Sequence, residues 1–356
     1  MAFTQIITVT LNPAIDRILE VQGLRPGAHQ LVRQRCRVAA GKGVNISRAL
    51  SCLGLPSIAT GLLGRQNQDF YLWQLRTSGA ELLSPQFVAI DGGTRENLTL
   101  IDTSSGQVTH LRDVGPTVSP EDLVRLREKL DGLAGPAALI VFSGGMPQGM
   151  TARQLEQLAA DCISRGAAVA VDTSGAALSA VRELPLFLVK PNEEELAYLL
   201  GRAAPTDDAA LAQAALELAR RHQHVLISLA QRGVLAAHDG QVLTARAQPP
   251  PRITSNVGCG DCLLAGFIAG LTGGPELPSQ PHVGKAGKES GLTRPTEPRA
   301  GNPVGMTDPT HWPVRLGVAA ATANLSAPTP AQLDKQQVLR LASGVEVTEA
   351  ELRNGP

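Results

Sequence analysis

The sequence predicts an α/β fold, with a mainly parallel central sheet between helical layers and a small separate β-sheet acting as a lid. Short apolar runs alternate with longer helical patterns, and repeated strand–helix–strand units are typical of a parallel sheet with helices on both faces. These buried runs lie at 6–10, 138–142, 167–172, 186–189 and 225–229. Segments 16–21 and 31–38 instead alternate polar and apolar residues, which does not suit a sheet covered on both faces. Segments 96–102 and 107–112 flank a turn and predict a hairpin of the same small sheet.

Several helix starts carry capping patterns. Ser119 precedes a proline and two acidic residues, a strong helix start, and Thr151 is followed three residues later by Gln154. Asn192 with Glu195 has the same spacing. Further helices are predicted at 42–53, 314–326 and 331–342.

Composition excludes several classes of protein. The 356 residues contain 32 Lys and Arg and 32 Asp and Glu, so the formal net charge is zero. This argues against coating of nucleic acid or of an anionic membrane. Hydrophobic residues make up 43% of the chain, enough for a large core, but no run approaches the length of a membrane span. Five scattered cysteines and the lack of a secretory pattern predict a cytoplasmic protein.

One segment breaks the strand–helix rhythm. Residues 273–313 hold 7 of the 36 glycines and 8 of the 25 prolines, with almost no apolar periodicity. Irregular segments longer than about 12–15 residues are uncommon inside compact domains. We therefore expect a disordered surface insertion within one domain, 1–345, followed by a C-terminal tail, 346–356. The lid is expected at about 14–38 and 95–113.

The most informative motif lies at 255–262, where Gly258, Cys259, Gly260 and Asp261 open an apolar helical pattern. Glycines let backbone N–H groups face a ligand, and a helix N-terminus favours an anion such as a transferring phosphoryl group. A carboxylate there suits a base that accepts a proton from an attacking hydroxyl. Asp261 is equally explained as an acidic first-turn residue that complements the helix dipole.

Three other motifs combine turns with polar side chains. Gly41, Lys42 and Asn45 form a glycine turn that opens a helix and could cradle a sugar or its phosphate, although the spacing is not that of a Walker A motif. Asn12 and Asp16 follow the first strand and suit sugar hydroxyls. For Gly41, Lys42 and Asn45 the alternative is a plain strand-to-helix turn. For Asn12 and Asp16 the alternative is a structural Asx turn. Segment 190–195 predicts either a helix cap or a holder of hydrated Mg²⁺ beside a nucleotide.

Together these motifs resemble the ribokinase-like sugar kinases of the phosphofructokinase-B family. The stretch 256–261 resembles the C-terminal signature of that family, 40–48 its N-terminal signature, and 10–16 the start of its hexose-phosphate members. Segments 142–147, 171–175 and 190–195 also match, in the family's order. The resemblance implies a ribokinase-like three-layer sandwich with a β lid.

The resemblance also implies a reaction: in-line transfer of phosphate from ATP to a phosphorylated ketohexose. Fructose 1-phosphate is favoured, with tagatose 6-phosphate and fructose 6-phosphate as alternatives, and homodimers through the lid are expected. Asp261 is implied as the catalytic base, within an anion hole of Gly258, Cys259 and Gly260. The implied substrate-binding residues are Asp16, Gly41, Lys42, Asn45, Arg95 and Ser143. The implied nucleotide-binding residues are Lys190, Asn192, Ser228, Ala230, Gly233, Gly258 and Gly260, with Asn192 and Glu195 holding Mg²⁺ through water.

The chain departs from the family pattern at two alanines. Ala40 replaces a usual glycine, and its methyl group is expected to crowd the sugar. Ala230 also replaces a glycine, at a cost of about 1 kcal/mol if that position needs a positive φ. Both alanines favour an alternative function, a non-catalytic sensor of sugar phosphate or nucleotide. The retained Asp261 argues against that alternative. Cys259 and Cys262 form a lone C-x-x-C pair, for which small residues in a tight turn are the simplest explanation. A lowered thiol pKa at the helix N-terminus would instead make Cys259 a redox switch.

Overall fold

A computed structural model describes residues 3–274 and 311–352 of the chain. A large sheet and a small one account for the strands in these ranges. The strands of the large sheet are β1 (Gln5–Thr10), β4 (Ser57–Gly64), β5 (Leu83–Pro85), β6 (Val88–Ile90), β9 (Ala138–Ser143), β10 (Ala168–Asp172), β11 (Leu188–Val189), β12 (His224–Ser228), β13 (Val234–His238), β14 (Gln241–Arg246) and β15 (Glu346–Glu349). Those of the small sheet are β2 (Ala14–Val21), β3 (Arg33–Ala40), β7 (Arg95–Asp102) and β8 (Val108–Leu111).

The large sheet confirms the predicted α/β class. Its strands follow the order β15-β14-β13-β12-β11-β10-β9-β1-β4-β5, and β6 also pairs with β4. Pairing is parallel from β12 to β5 and antiparallel from β12 to β15. The sequence did not predict β4, β5, β6 or the antiparallel edge.

Helices cover both faces of this sheet. The helices are α1 (Lys42–Cys52), α2 (Gln68–Thr77), α3 (Pro120–Asp131), α4 (Ala152–Ser164), α5 (Gly175–Val181), α6 (Glu193–Leu200), α7 (Asp208–Ala219), α8 (Cys259–Leu271), α9 (Trp312–Asn324) and α10 (Lys335–Ser343). One core contains apolar side chains of α3 to α7, and a second contains those of α1, α8, α9 and α10. Ile7 of β1 belongs to the first core and Ile6 to the second, as expected for alternating side chains of a strand buried on both faces.

The segments that are predicted to form a lid make up the small sheet, which has the order β3-β2-β7-β8. A single carboxylate ties its loops together: Asp102 accepts hydrogen bonds from the backbone N–H groups of Gly23, Leu24 and Ser104 at 2.8–3.1 Å. At the base of the lid, Ile15 and Ala39 pack in a third apolar cluster with Tyr71 of α2. The lid is therefore anchored at the end that faces the large sheet.

Helix caps agree with the sequence, but several boundaries differ. Ser119, Thr151 and Asn192 each form the reciprocal capping box that their spacing predicts. β3 begins at Arg33 instead of 31, and Leu31 is 97% exposed. α10 begins at Lys335 instead of 331, because Ala331 has a φ of 62°, which no α-helix accommodates, and Asp334 caps the helix. β11 is shorter than predicted, and α9 begins and ends two residues earlier.

The C-terminal region also differs from the expectation of a tail beyond residue 345. Val347 and Thr348 of β15 pair with Ala245 and Thr244 of β14, so 346–349 extends the sheet. Most of the predicted insertion at 273–313 lies outside the described residues. In the ranges that are described, no helix is long and apolar enough to cross a membrane.

Candidate active site

The carboxyl ends of neighbouring parallel strands align at one edge of the large sheet. Thr10 of β1 pairs with Ser143 of β9, which pairs with Asp172 of β10. Lys190 follows β11, and Ser228 at the end of β12 forms an isolated bridge with Asn192. Ligands of open α/β sheets bind at this edge. Motifs that are far apart in the sequence therefore meet there.

Asp261 lies in the first turn of α8 and is buried. Its Oδ2 accepts a hydrogen bond of 2.8 Å from Nδ2 of Asn45 in α1. Burial, reinforced by the negative charge of Asp172, raises the pKa of Asp261 to about 7, against the opposing effects of Asn45, Lys42 and Lys190. A carboxylate with a pKa near neutrality can accept a proton and release it at the pH of the cell.

Asp172 carries a buried negative charge between two lysines. Its Oδ1 lies 3.3 Å from Nζ of Lys42 and 3.2 Å from Nζ of Lys190, and Ser143 donates to its Oδ2 across 3.5 Å. Burial acts against ionisation, but the charges of Lys190 and Lys42 lower the pKa of Asp172 below its ordinary value. Asp172 in turn raises the pKa of Lys42. The negative charges of Asp261 and Glu195 act in the same direction. Two cations are thus held beside Asp261.

The glycine turn before α8 opens the helix with a left-handed glycine, and one of its predicted anion-hole donors, the N–H of Cys259, is bonded within the turn. Gly258 has a φ of 84°, and its carbonyl accepts the N–H of Cys262 at 2.9 Å, while the N–H of Cys259 points at the carbonyl of Asn256 at 3.3 Å. A methyl group on Gly260 would lie 3.3 Å from Nζ of Lys190. The turn therefore combines a helix N-terminus with a nearby ammonium group.

The second glycine turn packs against the end of β1. Gly41 has a φ of 144°, and a Cβ there would lie 2.7 Å from Cγ2 of Thr10 and 3.5 Å from Cα of Pro13. A Cβ on Gly43 would lie 2.4 Å from Oγ1 of Thr10. Any side chain at these positions would separate α1 from β1, so glycine keeps Lys42 and Asn45 close to the strand end. Ala40 is nearly buried, and its carbonyl accepts a bond of 2.7 Å from the Tyr71 hydroxyl.

Asp16 lies in β2, opposite Asn97 of β7. Nδ2 of Asn97 donates to Oδ1 of Asp16 at 2.8 Å. The register places Asp16 in the part of the lid closest to the turn at 12–13, and nearby Asn12 donates from Nδ2 to the carbonyl of Met146 at 3.4 Å. A carboxylate held on one oxygen leaves the other available to a hydroxyl.

Arg95 begins β7 and projects to the same turn. Its guanidinium donates to the carbonyls of Asn12 at 3.1 Å, Pro13 at 3.3 Å and Asp113 at 3.5 Å. These three carbonyls fix the orientation of the planar group beside the turn at 12–13.

Asn192 and Glu195 form the helix cap that their spacing predicts. Oδ1 of Asn192 accepts the N–H of Glu195 at 2.7 Å, and Oε2 of Glu195 accepts the N–H of Asn192 at 3.0 Å. A metal bound directly to both oxygens would compete with the cap. In the described ranges, no group of three or more His, Cys, Asp or Glu side chains is arranged to hold a metal ion. The donor set fits a hydrated ion that arrives with a phosphate ligand better than a resident metal.

The predicted nucleotide turn follows β12. Ser228 donates from Oγ to the carbonyl of Pro191 at 3.5 Å, which links this turn to the segment containing Lys190. Ala230 has a φ of 51°, so the missing glycine does leave a strained residue. Gly233 cannot be replaced easily, because its φ is 96° and a Cβ would lie 2.1 Å from the carbonyl oxygen of Ala245.

The expectation of a lowered thiol pKa at Cys259 is wrong. Burial raises the pKa of the Cys259 thiol, and the charge of Asp261 adds to that effect, against a hydrogen bond from Asn324. Burial therefore disfavours the thiolate form that a redox switch needs.

Three site residues escaped the sequence prediction. Asp172 ends a buried strand as the predicted residues do, and that position was the available signal. Asn97 could have been paired with Asp16 only from the register between β2 and β7. Asn324 lies in a helix 65 residues beyond Cys259, and nothing local in the sequence marks it.

A family model and two sequence relatives all indicate a carbohydrate kinase family. Residues 8–280 match the model of the pfkB family carbohydrate kinases. The chain is similar to the 1-phosphofructokinase of Vibrio cholerae, with 36% identity over 75% of this chain and 82% of that protein. It is also similar to the 1-phosphofructokinase of Bacillus subtilis, with 32% identity over 75% of this chain and 86% of that protein.

Solved structures share the fold. The phosphofructokinase-2 of Escherichia coli superposes with a TM-score of 0.78 at 23% identity, over 95% of this chain and 98% of that one. A possible 1-phosphofructokinase from Thermotoga maritima superposes with a TM-score of 0.73 at 24% identity, over 98% of this chain and 100% of that one. The family match covers most of the chain. The chain belongs to the pfkB family of carbohydrate kinases.

Proposed function

We propose that this protein transfers the γ-phosphoryl group of ATP to fructose 1-phosphate, which yields fructose 1,6-bisphosphate. The observation that carries the proposal is the environment of Asp261: a buried carboxylate with a pKa of about 7, bonded to Asn45, at a glycine turn flanked by Lys42 and Lys190. Similarity to two 1-phosphofructokinases above 30% identity selects the sugar phosphate.

Asp261 is the proposed catalytic base. The C6 hydroxyl of the sugar attacks the γ-phosphorus, and its proton passes to the carboxylate of Asp261 as the bond to the β,γ-bridging oxygen breaks. Asn45 holds Oδ2 of Asp261 and so directs Oδ1 towards the hydroxyl. The role of the protein is mainly to position the reactants and to stabilise charge.

The turn at Gly258, Cys259 and Gly260 is the proposed anion hole. The backbone N–H groups of Gly258 and Gly260, with the partial positive charge of the N-terminus of α8, stabilise the charge that develops on the transferring group, whereas the N–H of Cys259 donates to the carbonyl of Asn256. Lys190 lies against Gly260 and Lys42 lies beside it through Asp172, so both ammonium groups are held near the transferring oxygens. Asp172 holds both ammonium groups in place through ion pairs of 3.2–3.3 Å and favours the charged form of Lys42.

The sugar phosphate is proposed to bind between the lid and α1. Asp16 accepts hydrogen bonds from the sugar hydroxyls and Asn45 donates to them. Gly41 and Ser143 line the sugar site. Arg95 binds the existing 1-phosphate as a bidentate donor and exchanges its long 3.5 Å contact with the carbonyl of Asp113 for that dianion. Closure of the lid excludes water and prevents hydrolysis of ATP.

The nucleotide is proposed to bind along 190–195 and the turn after β12. Lys190 and Asn192 face the phosphates, and Ser228, Ala230 and Gly233 support the nucleoside end. Mg²⁺ is expected to enter with ATP and to be held through water by Asn192 and Glu195, whose cap leaves Oε1 of Glu195 for that contact. When bound, the ion neutralises phosphate charge.

The assembly and location are also proposals. A homodimer through the lid is favoured by the apolar side chains exposed on β8, Val108 and Leu111. One solved form of the phosphofructokinase-2 of Escherichia coli is described as tetrameric, so larger assemblies are an alternative. All five cysteines are free, in keeping with a cytoplasmic protein.

A coupled assay of ADP release tests the substrate. We expect kcat/KM for fructose 1-phosphate to exceed that for tagatose 6-phosphate and fructose 6-phosphate by at least tenfold. A preference for either 6-phosphate would contradict fructose 1-phosphate as the substrate, but it would still support a sugar-phosphate kinase. The absence of ADP release with all three sugars would favour the non-catalytic sensor instead.

A further inference from the structure

The C-terminal end of α9 forms hydrogen bonds to the segment that precedes Asp261, residues 254–259. The carbonyl of Leu325 accepts the N–H groups of Thr254 at 2.7 Å and Ser255 at 3.3 Å. One residue earlier in the chain, the side chain of Asn324 reaches the glycine turn itself. Residues distant in sequence therefore form one wall of the proposed anion hole.

Asn324 is 2% exposed and bonds with both ends of its amide. Nδ2 donates to the carbonyl of Val257 at 2.8 Å and to Sγ of Cys259 at 3.3 Å. Oδ1 accepts the N–H of Ala331 at 2.8 Å. These partners fix the orientation of the amide, because the N–H of Ala331 can only donate and the carbonyl of Val257 can only accept.

The turn has no side-chain cap of its own. Gly258, at the N-cap position of α8, has no side chain, and because glycine adopts many backbone conformations, its contacts select the left-handed φ of 84°. A Cβ on Gly258 would lie 3.2 Å from Pro330 and 3.7 Å from Nδ2 of Asn324, so the turn packs directly on this wall. Asn324 holds the residues on either side of Gly258.

Close packing of two helices places Asn324 within reach. A Cβ on Gly266 of α8 would lie 2.5 Å from the carbonyl oxygen of Leu316, and one on Gly317 of α9 would lie 2.9 Å from that of Leu263. Glycine at both positions lets the helix backbones approach closely. The end of α9 then lies at the start of α8.

We propose that Asn324 is a positioning residue for phosphoryl transfer, which holds the turn from Val257 to Cys259 in the shape that the transferring group requires. This inference rests on the proposed function, in which the N–H groups of Gly258, inside that turn, and of Gly260, which follows it, stabilise the transition state. An anion hole works only when its donors are already aimed at the developing charge. Loss of the Asn324 bonds therefore weakens transition-state binding more than substrate binding.

The test compares two substitutions of Asn324 with a control in the same helix. Asn324→Leu keeps the branching at Cγ and loses all three bonds, whereas Asn324→Asp keeps the acceptor for Ala331 and loses the donor to the turn. The control is Thr322→Val, because Thr322 is also buried in α9 but bonds only to the carbonyl of Val318 within its own helix. The first readout is kcat and KM for fructose 1-phosphate, well below each melting temperature. The second is the affinity for ADP alone and for ADP with aluminium fluoride, a mimic of the transferring group.

For both Asn324 variants we expect kcat to fall at least tenfold, with KM for the sugar phosphate changed less than twofold. The tightening of ADP binding by aluminium fluoride should fall by a similar factor, while affinity for ADP alone is retained. Thr322→Val should keep kcat and the fluoride effect within twofold, even where its melting temperature falls. Unchanged kcat and fluoride effect in the Asn324 variants, or equal losses in Thr322→Val, would overturn the inference.

The two readouts separate this inference from the proposed function. Wild-type protein that does not phosphorylate fructose 1-phosphate contradicts the proposed substrate, but its response to aluminium fluoride still reports the state of the turn. Wild-type ADP affinity that ignores aluminium fluoride would overturn the inference as well, because the turn would then bind no transferring group.

Discussion

The amide nitrogen of Asn45 donates a 2.8 Å hydrogen bond to Oδ2 of Asp261, across 216 positions of sequence. The bond joins the first turns of α1 and α8, the two helices that open on glycine turns. It favours the carboxylate form of Asp261 against the effect of burial. It also leaves one carboxylate oxygen to meet a substrate.

Removal of the base should stop turnover without loss of the fold. For Asp261→Asn we expect kcat to fall by about 10²–10⁴, the usual contribution of a general base, with KM for the sugar phosphate changed less than threefold. Steady-state kinetics by ADP release measures both. Near-normal turnover in this variant would contradict the assignment of Asp261.

The same substitution has a stability consequence that serves as its control. The pKa of Asp261 is raised in the folded protein, so the folded state holds a proton that the unfolded state releases between about pH 4 and 7, and stability falls as pH rises through that window. Asparagine carries no such charge. The melting temperature of Asp261→Asn should therefore exceed that of the wild type at pH 8, and the difference should shrink at pH 5.

The pH profile should follow the ionisation of Asp261 and its neighbour. We expect log kcat/KM to fall with decreasing pH below an apparent pKa near 7, because the protonated acid cannot accept a proton. Asp172→Asn removes a negative charge that raises the pKa of Asp261, so the acidic limb should move to lower pH. An acidic limb that stays in place in this variant would mean that another group controls the profile.

Ala230 should be replaceable by glycine with a gain in stability. Its φ of 51° suits glycine, and the residue is exposed, so Ala230→Gly should stabilise the fold by about 1 kcal/mol through relief of backbone strain. Urea unfolding measures the change. Ala160→Gly, within helix α4, should instead destabilise by about 1 kcal/mol, and the same sign in both variants would exclude strain as the cause.

Asn97 should matter to sugar binding rather than to ATP binding. Asn97→Ala removes the donor that orients Asp16, so we expect KM for the sugar phosphate to rise about tenfold while KM for ATP changes less than twofold. The matched control is Thr99→Val, two residues along the same strand and bonded to His110 instead. A similar rise in KM in both variants would indicate a general effect on the lid.

Local patterns in the sequence carried much of the architecture. The capping boxes at Ser119, Thr151 and Asn192 are set by residues three apart, so short-range hydrogen bonding decides them. Buried strands such as β9 and β10 are apolar up to their last residue because both faces are covered. Short edge strands were missed, since β5, β6 and β15 contain only three or four residues with little pattern of their own.

The sequence by itself determined the strand–helix alternation, the two glycine turns and the residue types beside them, because these depend on periodicity and on backbone conformations that few residues adopt. Tertiary structure alone decided how those residues act on one another. The pKa of Asp261 near 7 depends on burial and on Asp172 in another strand, and the raised pKa of Cys259 reverses what its helix position predicts. The contacts of Asn97 with Asp16 and of Asn324 with the glycine turn likewise follow from strand register and helix packing. Electrostatic and hydrogen-bond energies depend on distance in space, which separation along the chain does not give.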